Sequence, residues 1–349
     1  MSAKRPTLKQ VAEAAGCSTA VVSTVLNASK GNTIVSEAMR ERVEAAALKV
    51  GYRVNAAARM MRQNRTHQIG VLIKNTPGDQ FGDMAIMEFL LGINEGLMDQ
   101  DYLMSLIRLD ENPEAPLNRR SRVFREVLLD GMIVVSSFPY EIRQTVEDVM
   151  GQVVWLDTNH HEATNCVYRD EVVTGALAAR EALRLGYTRI LYLSNPDHDE
   201  IGRPQTHYSH RDRFTGVSQI AADQGIFLQR QIIPWSSSAT PMPDILQTLQ
   251  KGTAIITYNS RLAQRLTAHL LAQGNTLPEG VGLASCDLTQ EQAASWPSLA
   301  GIPFPRYELG CQAAAMLLST ISQSEIKAAS HLQQPTWQAA PSLPAFTSK

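Results

Sequence analysis

Histidines and carboxylates gather in three short stretches: His160-His161, Asp197–Glu200 (DHDE), and HYSH with His207 and His210. These are zinc-ligand types. None has the HExxH pattern or another fixed ligand spacing, so solvated loops are expected rather than a metal site. Four cysteines (Cys17, Cys166, Cys286, Cys311) lack CxxC spacing, which points to reduced thiols. There is no G-x-x-x-x-G-K-[ST] phosphate loop and no G-x-S-x-G nucleophile elbow. The GVGLAS run at 280–285 lies inside an expected strand rather than after one. No catalytic constellation, cofactor or metal is expected.

A different chemistry is written in GCSTAVVSTVLN, residues 16–27. Val22, Val25 and Leu26 recur on one helical face, while Thr19, Ala20, Ser23, Thr24 and Asn27 form the other. A helix entering the major groove of DNA must be slim on its outer side. Small hydroxyls there bond phosphates and base edges, and methyls touch the thymine methyl. Thr7-Leu-Lys-Gln10 has capping-box spacing ahead of Leu8, Val11, Ala12 and Ala15. Gly16-Cys17-Ser18 supplies the turn. A third helix from Ser36 turns Met39, Val43, Ala46, Ala47 and Val50 inward.

Charge supports the same partner. Residues 1–67 hold 11 Lys/Arg against 4 Asp/Glu, and the remaining chain 21 against 30. A basic module on an acidic body meets a polyanion with its front end only. Residues 53–66, RVNAAARMMRQNRT, then read as a short helix capped by Asn55. Helices this short are marginal alone. Basic side chains around a Met pair suit a minor groove, where apolar wedges unstack a base step.

TLKQVAEAAGCSTAVVSTVLN, followed by VSEAMRERVEAAALKVGYRVNAAARMMRQNRTHQIGVLI, closely resembles the start of the LacI/GalR family of bacterial repressors. The resemblance implies base reading by Thr19, Ala20 and Thr24, and phosphate contacts from Thr7, Ser18, Ser23 and Asn27. It places Asn55, Ala58 and Arg59 along the minor groove and Met61 where the family's intercalating Leu usually sits. Val54 stands for the usual Pro, and Thr24 for an Arg or His in many relatives.

The body alternates apolar runs with amphipathic stretches. The runs are Ile69–Ile73, Leu103–Leu109, Met132–Val135, Val153–Leu156, Ile190–Leu193, Ile232–Pro234, Ala254–Thr257 and Val281–Ala284. This is the pattern of parallel sheets covered by helices. One series hands over to the next near Val167–Asp170, and Gly301–Pro305 with the helix Tyr307–Ile321 reads as a return to the first half. The expected fold is therefore an N-terminal all-α helix-turn-helix module (1–53), a hinge (54–67), an α/β sensor domain with two doubly wound parallel-sheet lobes (68–330) and a C-terminal tail (331–349). The lobes resemble the periplasmic-binding-protein fold, whose cleft holds small ligands at strand carboxyl ends. By that resemblance Asp157, Asn259, Asp287, Arg213 and Trp235, with Phe81 in the first loop, line an effector cleft. SCDL at 285–288 departs from the family's usual Gly-aromatic-Asp-Asp.

The expected partners are double-stranded operator DNA, a small-molecule effector such as a sugar, and a second copy in a homodimer. No coiled-coil heptads mark the tail, so a tetramer is not expected. With no apolar secretion or membrane segment, a cytoplasmic protein is expected. The alternative is a two-lobed ligand-binding protein or enzyme carrying an accessory basic module.

Overall fold

A computed structural model describes residues 6–27, 35–74, 84–109, 121–160, 165–194, 207–233, 249–294, 298–322 and 330–347. The chain divides into two units, Met1–His67 and Gln68–Lys349.

The first unit holds α1 (Leu8–Ala15), α2 (Thr19–Asn27), α3 (Glu37–Val50) and α4 (Ala56–Gln63). Val11, Ala12, Ala15, Val22, Val25, Val43, Ala46 and Ala47 form its small core, with Leu8, Leu26, Met39 and Val50 packed at the margin. These inward positions follow the helical spacing in the sequence. Gly16 ends α1 at φ 63, a left-handed conformation that costs glycine nothing.

The second unit contains two parallel sheets. The first has the order β11-β5-β4-β3-β1-β2, and the second β10-β9-β8-β6-β7. The first sheet is built from β1 (Gln68–Lys74), β2 (Leu103–Leu109), β3 (Gly131–Val135), β4 (Val153–Leu156) and β5 (Cys166–Arg169), with β11 (Ser330–Gln333) added last. Helices α5 (Met84–Met98) and α6 (Tyr140–Met150) connect its strands. The second sheet comprises β6 (Arg189–Ser194), β7 (Phe227–Ile232), β8 (Thr253–Thr257), β9 (Val281–Leu288) and β10 (Ala300–Pro303). Its helices are α7 (Glu171–Arg184), α8 (Ser209–Asp223), α9 (Ser260–Ala272) and the short α10 (Gln290–Ala293). Central strands such as β3 and β8 are buried along their whole length, as strands covered on both faces must be.

Three features differ from the sequence reading. Pro234 lies outside the described residues, and Ile232 of the run Ile232–Pro234 closes a strand that begins earlier, at Phe227. It is an edge strand, half exposed, so Gln229, Arg230 and Gln231 interrupt the apolar signal. Residues 300–303 do not return to the first sheet: β10 pairs with β9. The return comes one step later, in α11 (Arg306–Ser322), whose Ala313, Ala314 and Leu317 join the core of the first sheet.

The third difference is the C-terminal segment, whose described residues, 331–347, are no tail. β11 pairs in parallel with β5. Ser342 Oγ donates to the Leu283 carbonyl at 2.7 Å, Leu343 is buried, and Phe346 stacks on Tyr187 at 5.7 Å. Its apolar residues come singly between prolines, so no period announced them.

The crossing of α7 with α8 is so close that only glycine fits on either side. A Cβ on Gly175 would lie 1.9 Å from the Arg213 carbonyl oxygen, and one on Gly216 would lie 2.0 Å from that of Val172. Those contacts are backbone, so relief requires α7 and α8 to separate. Gly175→Ala and Gly216→Ala should each destabilise the protein by at least about 1–3 kcal/mol, the usual range for overpacking. Urea unfolding measures this, and wild-type stability in both variants would refute the tight crossing.

Candidate functional site

Two surfaces carry the residues singled out from the sequence, one in each unit. In the first unit, Ser18, Thr19 and Ala20 are exposed at the start of α2, and Ser23 and Thr24 are half-buried one turn on. Ser18 Oγ accepts from the Val21 N–H at 3.3 Å, which anchors the helix start. Thr24 Oγ1 donates back to the Ala20 carbonyl at 3.0 Å, a bond within the helix. Asn27 ends α2; its side chain lies outside the described residues. Thr7 is committed locally. Its N–H donates to Gln10 Oε1 at 2.9 Å, and its hydroxyl both donates to that oxygen and receives the Gln10 N–H.

Asn55 caps α4 by accepting from the Ala57 N–H at 3.1 Å. Ala58 and Arg59 are half-buried, and Met61 stands 87% exposed. An apolar side chain that exposed on an eight-residue helix contributes nothing to the core of its unit. No core cluster among the described residues includes it.

In the second unit, Asp157, Arg213 and Asp287 come together where the chain crosses between the two sheets. Arg213 lies on α8 and is 2% exposed. Its Nε and Nη2 donate to Glu171 at 2.7 and 2.8 Å, Nη2 also to Asp287 Oδ2 at 3.0 Å, and Nη1 to the Tyr258 carbonyl at 2.9 Å. Glu171 opens α7 and also accepts from Arg169, at the end of β5, with Nη2 at 3.0 and 3.2 Å. Asp287, near the end of β9, accepts two contacts from Arg306 Nη2 at 2.8 and 2.7 Å. Arg169 and Arg306 belong to elements of the first sheet's half, and Glu171, Arg213 and Asp287 to the second's, so the network ties the halves together.

Burial alone would raise both carboxylates, but the guanidiniums reverse it. Arg306, Arg213 and Arg169 hold Asp287 well below the usual carboxylate range, and Arg169 and Arg213 lower Glu171. Burial would depress Arg213, yet Glu171, Tyr258 and Asp287 hold it well above its ordinary value. Glu88 on α5 goes the other way. Burial pushes its carboxyl up, only partly offset by the Gln290 N–H and by Arg306.

Beside this network, Asp157 sits at φ 53 after β4 and Ser136 at φ 79 after β3. Strained residues at strand carboxyl ends are a mark of ligand sites. Tyr208 Oη donates to Asp157 Oδ1 at 3.3 Å. His207 Nε2 lies 3.2 Å from the Asp157 carbonyl, its Nδ1 2.7 Å from Ser209 Oγ, and Ser209 Oγ 2.8 Å from Tyr258 Oη. One polarity satisfies this line: Tyr258 donates to Ser209, Ser209 to Nδ1, and Nε2–H to the carbonyl. The Asp157 atom in this line is the backbone carbonyl, with the carboxylate 3.6 Å from Nε2, so the line is not a carboxylate–histidine–serine triad. Ser209 has no exposed surface.

The HYSH stretch is therefore not a solvated loop. His210 lies inside α8, 5% exposed, stacked 3.4 Å from Tyr258. Asn259 caps α9 by accepting from the Leu262 N–H at 3.1 Å. Its strand-end position has a local explanation and is not joined to the network. Phe81, Trp235, His161 and Asp197–Glu200 lie outside the described residues. Sequence reasoning missed Arg169, Glu171 and Arg306. The strand-end "YRDE" at 168–171 was the available signal for the first two, since three charges in a row beside a buried strand must be paired. No group of three or more His, Cys, Asp or Glu among the described residues could hold a metal ion.

Both carboxylates titrate below their unfolded values of ~3.9 and ~4.3, so their contribution is complete above about pH 4 and fades as pH falls through the depressed folded values. Glu88, raised, works oppositely: its ionisation opposes the fold as pH rises through its folded value. Asp287→Asn should cost about 3–5 kcal/mol at pH 7 by leaving buried guanidiniums short of a partner. It should also flatten the acid limb below pH 4. Urea unfolding across pH checks both, and a wild-type acid limb in the variant would show that Asp287 is not held low.

Residues 7–55 match bacterial regulatory proteins, lacI family, and residues 179–340 match a periplasmic binding protein-like domain. Over 337 residues the chain is 26% identical to the ribose operon repressor of Bacillus subtilis (strain 168), covering 94% of this chain and 95% of that protein. It is also 26% identical over 341 residues to the HTH-type transcriptional repressor CytR of Escherichia coli (strain K12), covering 93% of each. The lac repressor dimer bound to operator and the anti-inducer ONPF shares the fold, with a TM-score of 0.76 at 20% identity over 98% of this chain and 100% of that one.

Proposed function

Because the chain belongs to the lacI family of bacterial regulatory proteins, we propose that it is a transcriptional repressor that binds a palindromic operator as a dimer and answers to a small hydroxylated metabolite. The observation that carries this is the exposed Ser18-Thr19-Ala20 face of α2 in a unit with an excess of seven positive charges. Each protomer sets this face in one major-groove half-site. Thr19, Ala20 and Thr24 read bases; Ser18, Ser23 and Asn27 hold phosphates, and Thr7 steadies the preceding helix. Asn55, Ala58 and Arg59 follow the minor groove, and paired Met61 side chains open a central base step. A protein that does this works where the DNA is, in the cytoplasm.

The dimer has a surface to form on. Met87, Leu91 and Met98 are exposed in one stripe of α5, and Leu103 and Leu106 are exposed on β2, the edge strand of the first sheet. An apolar stripe beside an open edge is the kind of surface that a second copy covers. The effector belongs near Asp157, Arg213 and Asp287, with Asn259 at the margin; Phe81 and Trp235 remain contacts expected from the sequence alone. That one relative is a ribose operon repressor favours a sugar-sized ligand.

Selection from a randomised duplex pool tests the proposal. The expected product is a palindrome with a flexible pyrimidine–purine centre, and no enrichment above salt-sensitive background would refute it. At the base facing Thr24, little guanine preference is expected, because Thr cannot make the bidentate contact that Arg makes. Thr24→Arg should shift that base towards guanine. A second test concerns assembly. Leu91→Glu with Leu103→Glu should yield monomers in sedimentation and weaken operator binding by at least about tenfold, since one half-site then binds alone; an intact dimer would move the interface elsewhere.

A further inference from the structure

Met61 presents a reactive atom at the place where the proposed operator contact needs an apolar one. It is 87% exposed, more than any other methionine among the described residues, and it lies outside the core of its unit. Met60 beside it is half-buried. Met87 and Met98 are less exposed and sit in the α5 stripe assigned to the second copy. A helical side chain leans over the turn before it, and there Ala57 and Ala58 are too small to shade the sulfur. A thioether does not titrate, so solvent access governs its reaction with an oxidant. By that measure Met61 is the first methionine reached among the described residues.

The oxidant is a peroxide. A lone pair on Met61 Sδ attacks one peroxide oxygen, the O–O bond breaks, an S=O bond forms and water leaves. Sulfur gives up two electrons and the peroxide takes them. The product keeps nearly the same shape but carries a strong dipole and an oxygen that can only accept. Between base pairs no water reaches that oxygen, and burying an unpaired polar group is costly. The minor-groove edges it would meet are mostly acceptors, adenine N3 and thymine O2, with guanine N2 the exception. A leucine of similar size would be inert to the same oxidant. Accessibility and function meet in one atom: the sulfur is open while α4 is off DNA and enclosed while it is on.

We propose that Met61 is an oxidation site through which peroxide releases the protein from its operator, the sulfoxide being the low-affinity form and operator binding itself the protection. This rests on the minor-groove contact of α4 proposed above. It gives the repressor an input that bypasses the effector cleft. In a dimer the two Met61 side chains share one base step, so a single sulfoxide is enough to spoil the pair.

The test uses the full-length protein and the palindromic duplex recovered by the selection described above. Hydrogen peroxide is added to the free protein and to the complex, and sulfoxide at Met61 is followed by peptide mass spectrometry. Met61 should oxidise more slowly in the complex. As it oxidises in the free protein, operator affinity should fall about 10- to 100-fold, the scale of one buried, unpaired polar group. Methionine sulfoxide reductases A and B together should restore it. Dithiothreitol, which returns an oxidised cysteine such as Cys17 but leaves a sulfoxide, should not. Whatever affinity Met61→Leu starts from, peroxide should not lower it. The proposal is overturned if Met61 sulfoxide forms without loss of affinity, if Met61→Leu loses as much to peroxide as the wild type, or if the duplex leaves Met61 oxidation undiminished. Should Met61→Leu bind too weakly to compare, protection and reductase rescue on the wild type decide. Untreated protein that binds no duplex sinks the repressor and this proposal with it; binding that survives the sulfoxide sinks this proposal alone.

Discussion

The second unit depends on one buried ion pair, Arg213 with Glu171. The two side chains meet because α7 and α8 touch backbone to backbone through Gly175 and Gly216. Once they meet, the remaining charges have little freedom. Asp287 must lie against Arg213, Arg306 must reach Asp287, and Arg169 must share Glu171, because any of them left alone in this interior would cost several kcal/mol. The network therefore says little about total stability, since a well-packed apolar cluster could serve equally well. It says a great deal about geometry. Arg169 and Arg306 enter from one half and Glu171, Arg213 and Asp287 from the other, so one arrangement of the halves satisfies all five.

That property suits a sensor. A ligand can shift an equilibrium only as far as it prefers one arrangement over another. A cleft floor of shared, over-subscribed hydrogen bonds makes that preference steep, because sliding one half against the other breaks several charge-assisted bonds at once. At the other end of the chain, α4 is poised differently. It has eight residues, one side-chain cap at Asn55 and an exposed Met61. A helix of that length gains its stability from what it packs on. A floor satisfied by one arrangement of the halves and a marginal helix are parts that suit a switch.

The sequence revealed elements best where a single physical demand dominated. Strands buried on both faces, β1, β3, β4 and β8, are unbroken apolar runs, and the three-helix core of the first unit follows its 3.6-residue spacing. Edges and exceptions stayed hidden. β7 alternates with polar residues, and β11 and residues 338–346 join the body through isolated side chains such as Leu343 and Phe346. Asn259 was legible only as a polar residue at a strand end, a signature shared by ligand contacts and helix caps.

The cleft was half legible for the same reason. Arg213 and Asp287 could be found because they sit at the ends of recognisable elements, but their chemistry could not. Read singly, an arginine and an aspartate at the mouth of a cleft look like hands held out to a hydroxylated ligand. Together they hold one another, and Arg169 and Arg306 complete the set from the other half. The neighbours of Arg169 in sequence, Asp170 and Glu171, look like an ordinary acidic helix start. A pairing that closes over five residues from separate elements is made by the fold, and no single segment of the sequence displays it.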